Sequence, residues 1–180
     1  MAQNAKVFKA FLQIADMDRH YYAEHSITLA RHPSETDERM MLRLLAFAIY
    51  ARDRLELAGG LSADDEPDLW FKNYVDEIEL WIDLGLPSDK RIRKACSRAK
   101  QVKLLCYGSE QAVTPWLHTI RNEVSRHKNL EIVRISSEQS TALALLAERT
   151  MQLQVNIQDG HIWVSSEAGA VMVELNSTVQ

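Results

Sequence analysis

Several carboxylates in the middle of this 180-residue sequence have the types and spacing for phosphoryl-transfer chemistry. Asp68 follows Pro67 at the edge of a short expected strand. Glu79 and Asp83 lie four apart on the next expected strand, 78–84, where a period of two puts residues 79, 81 and 83 on one face. Two carboxylates on one face of an otherwise apolar strand are costly to bury unpaired. A cation side chain, a metal ion or solvent at the strand end must compensate them. Asp37 and Glu38 sit in the first turn of the helix before these strands. Helical arithmetic places Asp37 near the middle of the apolar stripe and Glu38 at its border. Carboxylates converging from a helix and two strands suit a hard divalent ion. Magnesium takes carboxylate and water oxygens and keeps several waters. It can activate water and stabilise a phosphoryl transition state.

Each of these acids also has an ordinary structural role open to it. Asp68 can be a strand-end carboxylate, Glu79 an ion-pair partner, and Asp37 and Glu38 the usual acids of a helix N-terminus. The same holds for the bases. Seven basic residues fall between Lys90 and Lys103, just after Asp89. They form either a phosphate-contacting patch or a solvated helix face. Arg31-His32-Pro33 could line a site, yet a single histidine without ligand spacing more often makes a structural hydrogen bond. Trp70 and Trp81 read as core. Cys96 and Cys106 lack CxxC spacing and read as small buried apolar residues.

The elements that must position these groups follow from periodicity. Residues 7–14 and 21–29 read as two strands of a hairpin with a longer loop. Ser34 is the expected N-cap of a helix carrying Met41, Leu44, Leu45 and Ala48 on one face and ending near Gly59-Gly60. An acidic loop, 61–67, leads to a short strand at 68–70 and a buried strand at 78–84. Ser88 caps a helix whose inner face is Ile92, Ala95, Cys96 and Ala99. Then come a strand at 102–107, a helix at 110–126, a strand at 130–135 and a helix at 137–149. From Met151 to Gln158 apolar and polar residues alternate, and Asp159-Gly160 is a hairpin signal. Strands at 162–164 and 171–175 close a meander. The expected fold is mixed α/β of the α+β kind. A mixed sheet is flanked by helices, and the terminal strands form an antiparallel extension of it or a small second sheet.

Composition bounds the rest. One domain spanning 1–180 is expected from the length. A hydrophobic fraction of 46% supplies a core without disulfides. The net charge of −4 argues against a dedicated nucleic-acid binder, though local patches can override it. No segment has the form of a secretory leader or of a membrane helix, so no membrane association and a cytoplasmic location are expected.

Four segments resemble the bacterial YaeQ family: Leu29-Ala30-Arg31-His32-Pro33-Ser34-Glu35-Thr36-Asp37-Glu38-Arg39-Met40-Met41, Asp65-Glu66-Pro67-Asp68-Leu69-Trp70, Trp81-Ile82-Asp83-Leu84-Gly85-Leu86-Pro87 through Ala95, and Thr150-Met151 through Gly160. The resemblance covers essentially the whole chain. It implies the restriction-endonuclease-like fold of PD-(D/E)xK nucleases, whose core runs α-β-β-β-α-β, and carries no settled activity. On that pattern Pro67-Asp68 matches the PD element, Asp83-Leu84-Gly85 falls where (D/E)-x-K is expected, and Glu38 matches the acid of the first helix. Gly85 stands in the lysine position. Some relatives place the cation on the following helix, where geometry favours Arg91.

Two functions are therefore expected. The first is a magnesium-dependent nuclease or phosphodiesterase. Glu38, Asp68, Asp83 and Arg91 would be its catalytic residues, and Asp68, Glu79 and Asp83 its metal ligands. The second is a catalytically degenerate nuclease-fold module that binds nucleic acid, through Lys90, Arg91, Arg93 and Lys94, or a protein partner. Whether the chain is an enzyme at all stays open on the sequence alone. The separation of Asp68 and Asp83, and their freedom from arginine, decides between the two.

Overall fold

A computed structural model describes residues 4–59 and 63–179. The elements run β1 (Lys6–Asp16), β2 (Tyr21–Arg31), α1 (Asp37–Tyr50), β3 (Leu55–Leu57), β4 (Leu69–Lys72) and β5 (Ile78–Leu84). They continue with α2 (Asp89–Arg98), β6 (Ala99–Cys106), α3 (Glu110–Arg126), β7 (Leu130–Arg134) and α4 (Ser137–Ala144). Strands β8 (Thr150–Gln158), β9 (His161–Ser166), β10 (Gly169–Glu174) and β11 (Asn176–Val179) complete the chain. These elements divide into two compact units. One is built from Met1–Ile49 and Glu138–Leu175, the other from Tyr50–Ser137 and Asn176–Gln180.

The first unit is a five-stranded sheet of order β10-β9-β8-β1-β2. Strict alternation makes it one-sided. Ala10, Leu12 and Ile14 of β1 are buried, as are Met151, Leu153, Val155 and Ile157 of β8, while their neighbours point to water. Parallel pairing of β1 with β8 sets Leu12 opposite Leu153, so both apolar rows fall on one face. Helix α1 covers that face. Met41, Leu44 and Leu143 meet Leu12, Leu153 and Val164 around one small internal gap. At the β8-β9 turn Asp159 and Gly160 adopt φ of 53° and 75°, the left-handed pair of a type I′ hairpin. The Asp18 carboxylate accepts both of their N–H groups, at 2.8 and 3.0 Å.

The second unit is a six-stranded sheet of order β11-β7-β6-β5-β4-β3. Its centre, β5-β6-β7, is parallel, and its flanks are antiparallel. Trp81, Leu104 and Ile132 point from the central strands toward Ile92 and Cys96 of α2 and Val113 and Ile120 of α3. Trp81 is fully buried core, as expected.

Several expectations change. Of the two arrangements expected for the terminal strands, the second sheet is found and the antiparallel extension is not, except at β11. All but β11 form a sheet of their own, and β1 and β8 run parallel because the chain returns to β1 only after the whole middle segment. The first helix stops at Tyr50, short of Gly59-Gly60, and Gly60 lies outside the described residues. Arg54 turns left-handed (φ 69°), and Leu55 and Leu57 pair with Phe71 and Leu69, so cross-strand pairing overrides the helical pattern. The cap of α1 is Thr36, whose Oγ1 accepts from the Arg39 N–H at 3.1 Å, whereas Ser34 is bonded to His32. Helix α4 ends at Ala144, not Arg149, in a run of i→i−3 bonds from Leu145, Leu146 and Ala147. Strand β11 is too short and polar to show an alternation, and its pairing with β7 is a tertiary event. Of the expected 61–67 loop, residues 61 and 62 lie outside the described residues.

Candidate functional site

The site begins at two strand ends. In β4 and β5 Leu69 pairs with Ile82 and Trp70 with Trp81, so the register continued by one residue sets Asp68 opposite Asp83. Directly opposed residues of an antiparallel pair have Cβ atoms about 5 Å apart. The two carboxylates that the sequence singled out are thus cross-strand neighbours. Both are buried, with Asp68 1% and Asp83 3% exposed. Like charges so placed repel, and burial makes the repulsion worse. The fold must compensate them, and it does so from within.

Strand β5 ends at Leu84, Gly85 turns the chain, and Ser88 caps α2 by accepting the Arg91 N–H at 3.2 Å. That short connection brings the first turn of α2 over the Asp83 side of the strand. Arg91 closes on Asp83 as a two-pronged pair, Nε to Oδ2 at 2.9 Å and Nη2 to Oδ1 at 3.0 Å. Its remaining N–H groups reach the Glu66 carbonyl at 2.8 Å and the Asp64 carbonyl at 3.2 Å. A planar guanidinium suits this forked geometry where an ammonium would not. The bond to Asp83 raises the Arg91 pKa above its already high ordinary value, so the group is a permanent cation. Asp68 spends Oδ2 on the Leu84 N–H at 2.9 Å, and its own N–H and carbonyl bond Ile82 and Ala58.

Gly85 explains why no lysine follows Asp83 at the motif spacing. Its φ of +97° is one that side-chain-bearing residues rarely adopt, although the space beside it is open. Strain, not crowding, disfavours a lysine here, and the cation arrives six residues later, in the first turn of α2.

The basic run of α2 and β6 is largely ion-paired at the surface. Lys94 pairs with Asp65, and Arg98 donates to the Asp65 carbonyl at 2.8 Å. The Lys94 ammonium holds the Asp65 carboxyl below the usual carboxylate range. Arg93 pairs with Asp89 at 3.0 Å and approaches Glu123 at 3.7 Å. Lys103 pairs with Glu131. Lys90 is exposed and carries no ion pair among the described residues. Basic helix and acidic loop are complementary parts of one clasp. Sequence reasoning treated them separately, and the reciprocal charge of residues 64–66 and 91–98 was the available signal.

Glu79 stands elsewhere. It lies four residues before Asp83, about 13 Å away along a strand. Its carboxylate accepts from Lys100 at 2.6 Å and from the Asn73 amide at 2.9 Å. The Lys100 bond holds Glu79 below the usual carboxylate range. The acids of the first helix belong to the five-stranded unit. Glu38 accepts from the fully buried Ser140 hydroxyl at 2.5 Å, and Asp37, exposed, pairs with Arg31. Another buried acid of that unit stands just ahead of α1. Glu35, 6% exposed, takes Arg43 Nε and Nη2 at 2.7 Å each and Arg39 at 3.3 Å. Its spacing of four and eight residues from Arg39 and Arg43, which share one stripe of α1, was the visible signal.

A shared divalent ion would need carboxylate oxygens of Asp68, Glu79 and Asp83 turned toward one point. Asp68 and Asp83 have the right chemistry and are adjacent. Both Asp83 oxygens, however, accept from Arg91, and Glu79 is directed to Lys100. As placed, the residues do not fit a shared magnesium ion. Among the described residues no group of three or more His, Cys, Asp or Glu is placed to hold a metal. No described helix is long and apolar enough to cross a membrane.

Comparison with known proteins places the chain. A family model described as YaeQ protein matches residues 1–175. The chain belongs to the YaeQ family. It is 45% identical over 180 residues to the uncharacterized protein YaeQ of Escherichia coli K12, covering all of this chain and 99% of that one. The YaeQ protein of Salmonella typhi is 44% identical over the same length. Two crystal structures of YaeQ proteins are similar throughout. That from Xanthomonas axonopodis pv. citri is 47% identical with a TM-score of 0.92, covering 97% of this chain and 98% of its own. That from Pseudomonas syringae is 33% identical with a TM-score of 0.92, covering 98% and 97%. The two mixed sheets and four helices of the described residues are thus a YaeQ architecture.

The two cysteines fit the structural reading of them. Cys96 and Cys106 are buried, and burial pushes each thiol up to about 11. A thiolate is the reactive form. Neither cysteine is therefore expected to react with a thiol reagent at pH 8 within an hour in the native protein, whereas both should react at once in denaturant. Rapid native labelling would contradict the packing described here.

Proposed function

We propose that this protein is a catalytically degenerate module of the PD-(D/E)xK type whose nuclease-like site has become a structural clasp. The observation that carries the reading is the closed Asp83–Arg91 pair. The acids that would hold a metal are compensated by a guanidinium of the same chain, and that guanidinium also ties down the 64–66 loop. The order α1-β3-β4-β5-α2-β6 follows the α-β-β-β-α-β core of the nuclease superfamily and supports the finer assignment of fold. Arginine stabilises charge but is a poor proton acceptor at neutral pH, so it does not replace a lysine that moves protons. Arg93, Lys94, Lys100 and Lys103 each carry an acidic partner, which offsets the local positive charge and favours a protein partner over nucleic acid. A cytoplasmic location fits this role.

The competing reading, a magnesium-dependent phosphodiesterase, needs Arg91 to swing away and leave Asp68 and Asp83 to an ion. Calorimetry with Mg²⁺ and Mn²⁺ separates the two. No saturable binding at millimolar metal is expected for the wild type or for Asp83→Ala. Neither should nick supercoiled plasmid or digest circular single strands. Metal-dependent cleavage that disappears in Asp83→Asn would overturn the proposal and establish the enzyme.

A further inference from the structure

Each open sheet has two edges, and here they are β2 and β10 in one sheet and β3 and β11 in the other. Three of them are blunted. Strand β3 has three residues, β11 has four with a shift in its pairing, and the Glu174 N–H of β10 is taken by the Gln139 amide oxygen at 3.1 Å. Strand β2 is different. It runs eleven residues in unbroken register with β1, and from Tyr21 to Ala30 it holds no lysine, no proline and a single acid, Glu24. Lysine, proline, bulges and shortness are what keep an edge from pairing, and a long edge without them is a template for another strand.

The direction of its backbone groups follows from β1. The Lys9 N–H bonds the Arg149 carbonyl and the Met17 N–H bonds the Ile157 carbonyl, so odd-numbered residues of β1 face β8 and even-numbered ones face β2. Register then gives Ile27, His25 and Ala23 of β2 to Ala10, Leu12 and Ile14. The N–H and C=O groups of Tyr22, Glu24, Ser26, Thr28 and Ala30 point the other way. Arg43 Nη2 reaches the Ala30 carbonyl at 3.5 Å, which fits that direction. Among the described residues, nothing bonds the outward backbone groups of Tyr22, Glu24, Ser26 and Thr28. Four donors and four acceptors therefore stand in a row along one edge.

We infer that this edge joins the same edge of a second copy, antiparallel about a twofold axis at His25, as a symmetric pair requires. That register uses the four donors and four acceptors of each copy and leaves Ala30 to Arg43. Tyr22 meets Thr28 of the second copy, Glu24 meets its Ser26, and His25 faces its counterpart. The side chains select a copy of this strand over an unrelated one. On the face covered by α1, Ile27 and Leu29 are buried while Tyr21, Ala23 and His25 are half-buried. Antiparallel pairing sets Ala23 against Ile27 and Tyr21 against Leu29, so the open end of each apolar row lies along the packed end of the other. On the outer face the exposed Tyr22 ring meets the β-branched Thr28, a favourable cross-strand pair. No like charges are directly opposed. The two Glu24 fall on a diagonal, about 7–8 Å apart and open to water. This edge lies in the five-stranded unit and does not rest on the reading of the Asp83–Arg91 pair.

The test uses the full chain alone. Sedimentation equilibrium is run from micromolar to near-millimolar concentration, with residue-resolved amide exchange at both ends of that range. A monomer–dimer equilibrium is expected. In the concentrated sample the Tyr22, Glu24, Ser26 and Thr28 amides should exchange at least about tenfold more slowly than in the dilute one, while those of Ala23, His25 and Ile27 are slow in both. Ser26→Pro removes one outward donor and keeps the β1 ladder, since an edge strand tolerates proline where its N–H points away. This variant should be monomeric throughout, with the exchange protection of Ala10 and Leu12 unchanged. Should it misfold, the alternating exchange pattern of the wild type decides alone. Three results would overturn the assignment: a wild type that stays monomeric, which would leave the edge to a strand of another protein, outward amides that exchange independently of concentration, or a dimer that a folded Ser26→Pro variant retains.

Discussion

Replacing Arg91 by methionine is expected to destabilise the protein by about 3 kcal/mol, and pairing that change with Asp83→Leu should recover most of the loss. The reason is asymmetry. Removing one partner of a buried pair leaves the other charge unpaired, which typically costs about 3–5 kcal/mol, whereas replacing both by apolar groups of similar size is often near neutral. The low end applies because the Arg91 side chain is still 25% exposed while that of Asp83 is 4%. Two further bonds, to the Glu66 and Asp64 carbonyls, are lost in both variants and limit the recovery. Urea unfolding of the two variants and the wild type reads the effect directly. A single-variant loss under about 1 kcal/mol would mean that the pair is an incidental contact and not the clasp described above. A large loss would show that Asp83 and Arg91 serve the stability of the fold.

Ending the chain at Ser137 should have the larger effect, abolishing the fold of the five-stranded unit outright. The truncation removes β8, which lies between β1 and β9 in that sheet. With it go Met151, Leu153, Val155 and Ile157, all at most 6% exposed. At about 1.5–3 kcal/mol for each buried apolar side chain, these four alone supply about 6–12 kcal/mol, comparable to the whole stability of a typical domain. Hydrogen exchange at the Leu12 and Ile14 amides of β1 is the measurement. Full exchange within seconds at neutral pH is expected. Persistent protection in the truncated chain would show that β1, β2 and α1 hold together without β8.

How much of this was legible in the sequence depended on whether local or distant residues decide. Strand β5 at 78–84, helix α3 at 110–126, the Ser88 cap and the Asp159-Gly160 turn were read at or near their true bounds. Each is specified by residues within a few positions of it. Strand β3 and strand β11 were not legible, since three or four residues carry no period and acquire their conformation from a partner strand. The proximity of Asp68 and Asp83 was an inference from a motif, and the register of β4 on β5 is what sets them opposite. Glu79 shared a face with Asp83 by period two, but no period reveals that Lys100 and Asn73 claim it.

The sequence by itself determined which residues are apolar and at what period, where helices start, where turns fall, and which family the chain belongs to. Those are properties of short stretches, governed by backbone sterics and the burial of alternating or helical faces. Only the tertiary structure decided which cation meets which acid. A guanidinium on α2 lies eight residues from Asp83 and twenty-five from Glu66, yet it touches both, because a glycine-turned connection folds the helix back over the strand. Ion pairs are chosen by distance in space, and a linear sequence holds that distance only after the sheet has set its register.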